Sequence, residues 1–313
     1  MPSRFPPSFP LSLKTTVAGL DFPSPIGLAA GFDKDAEVPE QMLGLGFGFV
    51  EVGTITPRPQ PGNDKPRLFR LVDDQAVINR MGFNNGGQLA ALKRLLKCSP
   101  RRGIIGVNIG ANKDGADRIA DYVEGVRAMS SVADYLTINI SSPNTPGLRQ
   151  LQDEGALKEL LAAVQSVGSD KPIFLKVAPD LEEDDPERIV RAALDHRIDA
   201  IIVSNTTISR PPLKSRFAGE AGGLSGAPLK TLALGALRKF RRASGGEMAL
   251  IGVGGIASAD DAWERIRAGA CLVQLYSAMV YEGPGVARRI ARGLADRLKR
   301  EGFANIAEAV GTE

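Results

Sequence analysis

Two lysines, a set of amides and hydroxyls, and a cluster of glycines are the residues here that could do chemistry. Lys176 interrupts the apolar stretch FLKVAPD. An unpaired charge in such a setting is costly, so three uses are open: a Schiff-base nucleophile, a cation held against an anionic ring, or half of a structural ion pair. Lys34 follows Gly31, Phe32 and Asp33, and is either a pocket cation or a solvated loop lysine. The segment 139–149, Asn-Ile-Ser-Ser-Pro-Asn-Thr-Pro-Gly-Leu-Arg, is dense in polar side chains. These residue types also dominate ordinary turns, but their place directly after an apolar strand favours an active-site loop. Gly252, Gly254 and Gly255 form either a plain strand-to-helix turn or a phosphate cradle of backbone N–H groups; Tyr276 and Ser277 at the next strand end favour the cradle. With Asn108, Asn112, Asn139, Asn144, Ser204, Asn205 and Thr206, this inventory suits a polar heteroaromatic ligand and an anionic one. A metal is not expected, since hard cations want several carboxylates and zinc wants His or Cys. The one histidine, His196, excludes most histidine chemistry and reads as a helix-end surface residue.

These residues must be positioned by something, and the apolar pattern says what. Nearly continuous apolar runs recur at 25–31, 47–53, 103–110, 135–141, 172–178, 200–205, 249–255 and 271–277. Such runs are the mark of parallel strands buried on both faces. Helix-period segments separate many of them. In 155–167, Leu157, Leu160, Leu161 and Val164 form one apolar stripe, and similar stripes occupy 116–130, 184–196, 228–242, 258–268 and 284–300. Ser258, followed by Asp260 and Asp261, signals a helix start. Eight strands with intervening helices predict an α/β fold, a (β/α)₈ barrel; a doubly wound open sheet is the alternative, because periodicity does not close a barrel. Residues 15–22, TTVAGLDF, predict a short hairpin that covers the N-terminal end. The expected division is a segment with hairpin over 1–24 and one barrel domain over 25–313. The connections 54–102 and 206–230 are long, and such loops are usually functional. In a barrel, the C-terminal ends of the strands carry the chemistry, and the polar residues above fall at those ends.

Composition narrows the partners. The net charge of +3, from 39 basic and 36 acidic residues, is no footprint for nucleic acid. Cys98 and Cys271 are far apart, in no metal-like spacing, and read as free thiols in a reducing compartment. No apolar run reaches the ~18 residues of a membrane span, and prolines interrupt any signal-like stretch at the N-terminus. A cytoplasmic location follows as the expectation, with a monomer favoured over a dimer.

Several motifs together resemble the dihydroorotate dehydrogenases, and within them the class 2, quinone-linked group. They are AAGFDKD (29–35), EVGTITPRPQPGN (51–63), INRMGFNN (78–85), VNIGANKD (107–114), INISSPNTPGLRQLQ (138–152), LKVAPD (175–180), SNTT (204–207), GGLSG (222–226), GVGGI (252–256) and QLYS (274–277). The resemblance runs from about residue 15 to the end. It implies FMN as cofactor, dihydroorotate as substrate, orotate as product and a quinone as acceptor, within de novo pyrimidine biosynthesis. Carried over motif by motif, it implies FMN contacts at Ala30, Gly31, Lys34, Thr54, Asn108, Asn139, Lys176, Ser204, Gly226, Gly255, Tyr276 and Ser277. Substrate contacts are implied at Lys34, Asn79, Arg80, Met81, Gly82, Phe83, Asn139, Asn144, Asn205 and Thr206. The class 2 base falls on Ser142; class 1 uses a cysteine, and neither cysteine lies in that loop. Lys176 would then stabilise negative charge on the reduced flavin. Ala111 stands where relatives often have lysine, and Ser204 where many have threonine. Class 2 relatives usually carry an N-terminal helical extension that touches the membrane and forms the quinone tunnel. Only about 14 residues precede the hairpin here, four of them proline, which argues against that contact. The alternatives are the same reaction with a soluble acceptor, a Schiff-base or phosphosugar enzyme using Lys176, and a flavin-less binding protein.

Overall fold

The computed structural model describes residues 7–98, 103–145 and 147–313. Residues 1–6 of the expected N-terminal segment and Pro146 of the 139–149 loop lie outside the described residues. A hairpin comes first, β1 (Thr15–Val17) against β2 (Leu20–Phe22). The barrel begins with β3 (Ile26–Leu28) and β4 (Phe49–Ile55), and a second hairpin, β5 (Leu68–Leu71) and β6 (Ala76–Asn79), follows. β7 (Ile104–Ile109), β8 (Tyr135–Asn139), β9 (Ile173–Val177) and β10 (Ala200–Val203) continue the barrel. β11 (Gly223–Gly226) returns to β6, and β12 (Ala249–Val253) and β13 (Ala270–Leu275) close the circle. The closed order is β10-β12-β13-β3-β4-β7-β8-β9, with every neighbouring pair parallel. All eight apolar runs therefore become barrel strands, and the open-sheet alternative is excluded.

The outward faces of the strands meet the helix stripes. Leu157, Leu160, Leu161 and Val164 are buried on the helix Glu154–Gln165. Ser258 caps the helix Ala259–Arg267 in a reciprocal box with Asp261, each side chain accepting from a backbone N–H that has no partner within the helix. His196 ends the helix Asp185–Asp195, and its Nδ1 lies 2.9 Å from the Ala192 carbonyl. Among the described residues no helix is long and apolar enough to cross a membrane.

Inside the barrel the filling is layered. At the N-terminal end, Tyr135 stacks on Phe174 with centroids 4.4 Å apart, and Phe49 meets Tyr135 edge-on. The first hairpin closes this end, since Phe22 packs edge-on against Phe49 and Val17 joins the same cluster. Two strand glycines make room for the rings: a Cβ on Gly27 would lie 2.2 Å from Phe49, and one on Gly106 would lie 2.1 Å from Tyr135. Above the rings the interior turns polar, with Glu51, Asn108, Thr137, Lys176 and Gln274 all buried.

The long connections are more ordered than periodicity alone indicates. β5 and β6 from one, and β11 from the other, form a three-stranded antiparallel sheet over the C-terminal mouth. Helix Gln88–Lys97 adds a further element to the first connection, and a short helix, Pro39–Gly44, lies between β3 and β4. The sheet unites segments more than 140 residues apart in strands of four residues each, too short for alternation to stand out.

Candidate active site

A cavity opens where the barrel strands end, under the antiparallel sheet. Nearly all the residues singled out above line it: Ala30, Gly31 and Lys34 after β3; Thr54 in β4; Asn79, Met81, Gly82 and Phe83 after β6; Asn139, Ser142 and Asn144 from β8; Lys176 in β9; Ser204, Asn205 and Thr206 after β10; Gly226 in β11; Gly255 after β12; Tyr276 and Ser277 after β13. Two are corrected. Asn108 is fully buried and lies beneath the wall, holding Thr54 and Asn139 instead of facing the cavity. Arg80 turns outward, pairing with Glu220 at 2.7 Å and capping the Phe69 ring at 4.6 Å. Asn108 was read by its strand-end position, which cannot separate a cavity wall from the layer beneath. Arg80 sits in a motif whose neighbours do face inward.

The wall rests on a hydrogen-bonded chain inside the barrel. Asn205 Nδ2 donates to Ser141 Oγ at 2.9 Å, and Ser141 Oγ donates to Asn139 Oδ1 at 2.8 Å. Asn139 Nδ2 donates to Thr54 Oγ1 and to Asn108 Oδ1, both at 3.0 Å. Thr54 Oγ1 donates to Asn108 Oδ1 at 2.6 Å, and Asn108 Nδ2 donates to Glu51 Oε1 at 2.8 Å. The other Glu51 oxygen accepts from Gln274 Nε2 at 2.8 Å and from the Tyr135 hydroxyl at 3.1 Å. Ser141 lies in the expected active-site loop, but Glu51 and Gln274 were not among the expected site residues. A carboxylate within the apolar run FGFVEVG was the available signal.

Lys176 is 4% exposed, and among the described residues nothing accepts a hydrogen bond from its ammonium. Burial pushes its pKa below the ordinary lysine value, and the Glu51 carboxylate pulls it partly back. Among the described residues it forms no ion pair within 4 Å, so the structural-pair reading of this lysine fails. Lys34 donates to the Gly31 carbonyl. Burial, helped by the Arg67 charge, lowers its pKa to about 8, against the opposing pull of Asp35 and Asp33.

Ser142 is 5% exposed, and its Oγ accepts from the Asn144 N–H at 3.3 Å. Its loop is fastened from behind by Arg149. That guanidinium donates to the Ser141 carbonyl, to Asp180 and to the Thr206 carbonyl, at 3.0–3.1 Å in each case. Asn63 and Asn144 tie the same loop to the antiparallel sheet, through the Asn144 and Asn79 carbonyls. Opposite, Gly226 and Gly255 have φ of +95° and +69°. A Cβ on Gly226 would lie 2.3 Å from the Gln75 carbonyl oxygen, and one on Gly255 would lie 2.5 Å from Lys230 Cα. Only glycine fits at either position. Ser277 lies beside them, its Oγ 2.7 Å from that of Ser225.

Residues 12–298 match a protein-family model described as dihydroorotate dehydrogenase. Among curated proteins, the dihydroorotate dehydrogenase (quinone) of Sphingopyxis alaskensis is 65% identical over 305 residues, covering 96% of this chain and 85% of that protein. The corresponding protein of Erythrobacter litoralis is 66% identical over 304 residues, with 96% and 89% covered. Among solved structures, ligand-free DHODH from Eimeria tenella superposes with a TM-score of 0.94 at 43% identity, over 97% of this chain and 92% of that one.

Proposed function

This chain belongs to the dihydroorotate dehydrogenase family, and on that premise we propose that it oxidises dihydroorotate to orotate in pyrimidine biosynthesis, with FMN as cofactor, Ser142 as base and a quinone as acceptor. The observation that carries this reading is one cavity with three chemistries in its wall: Ser142 among amides, an unpartnered Lys176, and a glycine-serine cradle. The residues fit FMN. A buried ammonium without an acceptor suits an electron-rich ring, and the cradle at Gly226, Gly255, Tyr276 and Ser277 suits its phosphate. Ala30, Gly31, Lys34, Thr54, Asn139, Lys176 and Ser204 would surround the ring. When bound, FMN supplies the two-electron acceptor for the hydride leaving C6 of dihydroorotate.

The protein's own part is alignment and proton transfer. Ser142 Oγ takes the C5 proton while its hydroxyl proton passes on toward solvent, because a serine hydroxyl is a weak base unless its own proton can leave. The Asn144 N–H donated to Oγ favours the negative charge that develops there. Asn79 has amide N–H groups without partners among the described residues, and Asn205 commits one, to Ser141; these amides, with Asn144 and Thr206, hold the substrate's carbonyl and carboxylate groups. Lys34 supplies a cation for the anion. Met81, Gly82 and Phe83 complete that wall.

Away from Ser142, Leu68, Val77 and Val280 form an apolar stretch of the cavity wall beside Tyr281, with Arg70, Gln75 and Glu282 also lining that side. Leu68 is 56% exposed, so this apolar wall continues to the surface, as an apolar acceptor requires. The reading includes one barrel domain over 25–313, a cytoplasmic monomer, and membrane contact that is at most peripheral. Anaerobic mixing of the flavin-loaded protein with dihydroorotate should bleach the flavin, and a quinone should restore the colour faster than fumarate, NAD or oxygen. Ser142→Ala should slow the bleaching by roughly 10²–10⁴-fold with flavin still bound. A chain that takes up no FMN would refute the cofactor, unchanged bleaching in Ser142→Ala would refute the base, and preference for a soluble acceptor would refute the quinone.

A further inference from the structure

The largest fully buried side chain among the described residues belongs to a cation that the reaction does not use. Arg265, on the helix Ala259–Arg267, is 0% exposed. Its NH2 group donates to the Lys230 carbonyl at 2.6 Å and to the Gly254 carbonyl at 2.9 Å. Its Nε and NH1 groups have no partner. No carboxylate among the described residues lies within 4 Å of it. Two carboxylates on its own helix, Glu264 and Asp261, act on it from farther away; Asp261 is held by Lys230 Nζ at 2.6 Å and by the N–H groups of Ala257 and Ser258, and Glu264 lies 3.5 Å from the same Nζ.

The position of this charge is informative. Gly254 and Gly255 leave β12 and line the cavity, and Lys230 begins the helix that follows the Gly226 turn. A single guanidinium thus joins the two segments that carry the cradle glycines. The contact between them is already close, since Gly255 has no room for a Cβ against Lys230. A buried guanidinium without a counter-ion is unfavourable alone. Glu264 and Asp261 offset part of that cost from a distance, but both are already paired with Lys230, and an anion in the cradle one residue away would offset it further.

We propose that Arg265 is the positioning residue of the phosphate cradle: it staples the Gly254–Gly255 turn to Lys230 from behind and provides the buried positive charge that selects a phosphorylated flavin over an unphosphorylated one. This rests on the FMN reading above. Burial lowers its pKa only to about 10, so the side chain stays charged at neutral pH.

The test compares two ligands that differ only in the phosphate. The full chain, stripped of flavin, is titrated with FMN and with riboflavin, following flavin fluorescence, for the native protein, Arg265→Met and Arg265→Lys. The native protein should prefer FMN. Arg265→Met should lose at least tenfold in FMN affinity, as expected for removing a buried unit charge behind a dianion's site at an effective dielectric near 20. Its riboflavin affinity should move less than threefold. Arg265→Lys, which keeps the charge and loses the fork, should fall between, and it decides the matter if the methionine variant does not fold. A general loss of packing would weaken both ligands alike, so an FMN-to-riboflavin ratio unchanged in the variants overturns the proposal. Failure of the native chain to bind FMN would instead overturn the cofactor reading.

Discussion

Glu51→Gln gives the sharpest test of the barrel's polar interior. Glu51 is fully buried and accepts three hydrogen bonds, from Asn108, Gln274 and Tyr135. Glutamine keeps the shape and can keep the bonds. Asn108 can still donate to Oε1, the Tyr135 hydroxyl can turn to accept, and the Gln274 Oε1, which has no partner now, can accept from the new amide. What glutamine cannot keep is the negative charge that opposes the burial of Lys176. Glu51 and Lys176 are not paired within 4 Å, so the roughly 3–5 kcal/mol lost when one partner of a buried ion pair is removed is an upper bound here. A second limit also applies, because an ammonium can shed its proton. From the ordinary lysine value of 10.5, that escape costs about 5 kcal/mol at pH 7 and about 2 kcal/mol at pH 9. The folded-state pKa of Lys176 lies below its unfolded value. The unfolded chain therefore binds more protons between the two, and stability rises with pH across that window. In Glu51→Gln the folded value falls further and the rise is steeper. Urea unfolding of flavin-free native and variant protein should give a deficit at pH 7 of up to about 3–5 kcal/mol, shrinking at pH 9 to no more than about 2 kcal/mol. A deficit that is equal at the two pH values, or larger at pH 9, would refute the electrostatic coupling of Glu51 to Lys176 and leave only a packing role.

Two further outcomes follow from the cavity wall. Lys34, with its pKa at about 8, is charged below that pH and neutral above it, so binding an anion there requires proton uptake at higher pH. The dissociation constant of orotate should be flat to pH 7 and then rise toward tenfold per pH unit above about 8; Lys34→Met should remove the step, and a step that persists would reassign it to another group. Gly255→Ala places a Cβ 2.5 Å from Lys230 Cα at a φ of +69°. Backbone strain of about 1–3 kcal/mol, added to that clash, should displace the cradle and leave the purified protein depleted in flavin. Full flavin occupancy in that variant would show that the turn does not hold the phosphate.

The barrel was legible because its strands are buried on both faces, and an unbroken apolar run is a strong signal over five or more residues. The strand-end residues were legible for the same reason: once the strands are placed, Thr54, Asn139, Lys176, Ser204 and Ser277 must sit at one mouth. What escaped depended on pairing at a distance. The sheet of β5, β6 and β11 is assembled from segments with no local mark of partnership, so they read as loops. Asn108 and Asn139 were indistinguishable in sequence, both being amides at strand ends, yet one lies a layer deeper. Arg265 looked like any basic residue on an amphipathic helix. Its side chain packs against Gly252, where a Cβ would lie 3.4 Å from Arg265 Cδ, and nothing local in the sequence marks that contact.

The hydrogen-bonded chain also constrains how the site divides its work. Both N–H groups of Asn139 are directed to Thr54 and Asn108, and its Oδ1 accepts from Ser141. An amide so occupied cannot also donate to a flavin and a substrate without breaking a bond to the barrel. Its orientation is fixed by the buried Glu51 beneath, through Asn108, whose one Nδ2 bond to that carboxylate determines which way its own amide points. Asn205, by contrast, holds the chain's outer end and keeps a donor uncommitted. The order along the chain therefore separates the two amides: the one nearer the core sets the geometry, and the one nearer the mouth is free to bind. It is this asymmetry that lets a rigid barrel present a substrate site without rearranging its interior.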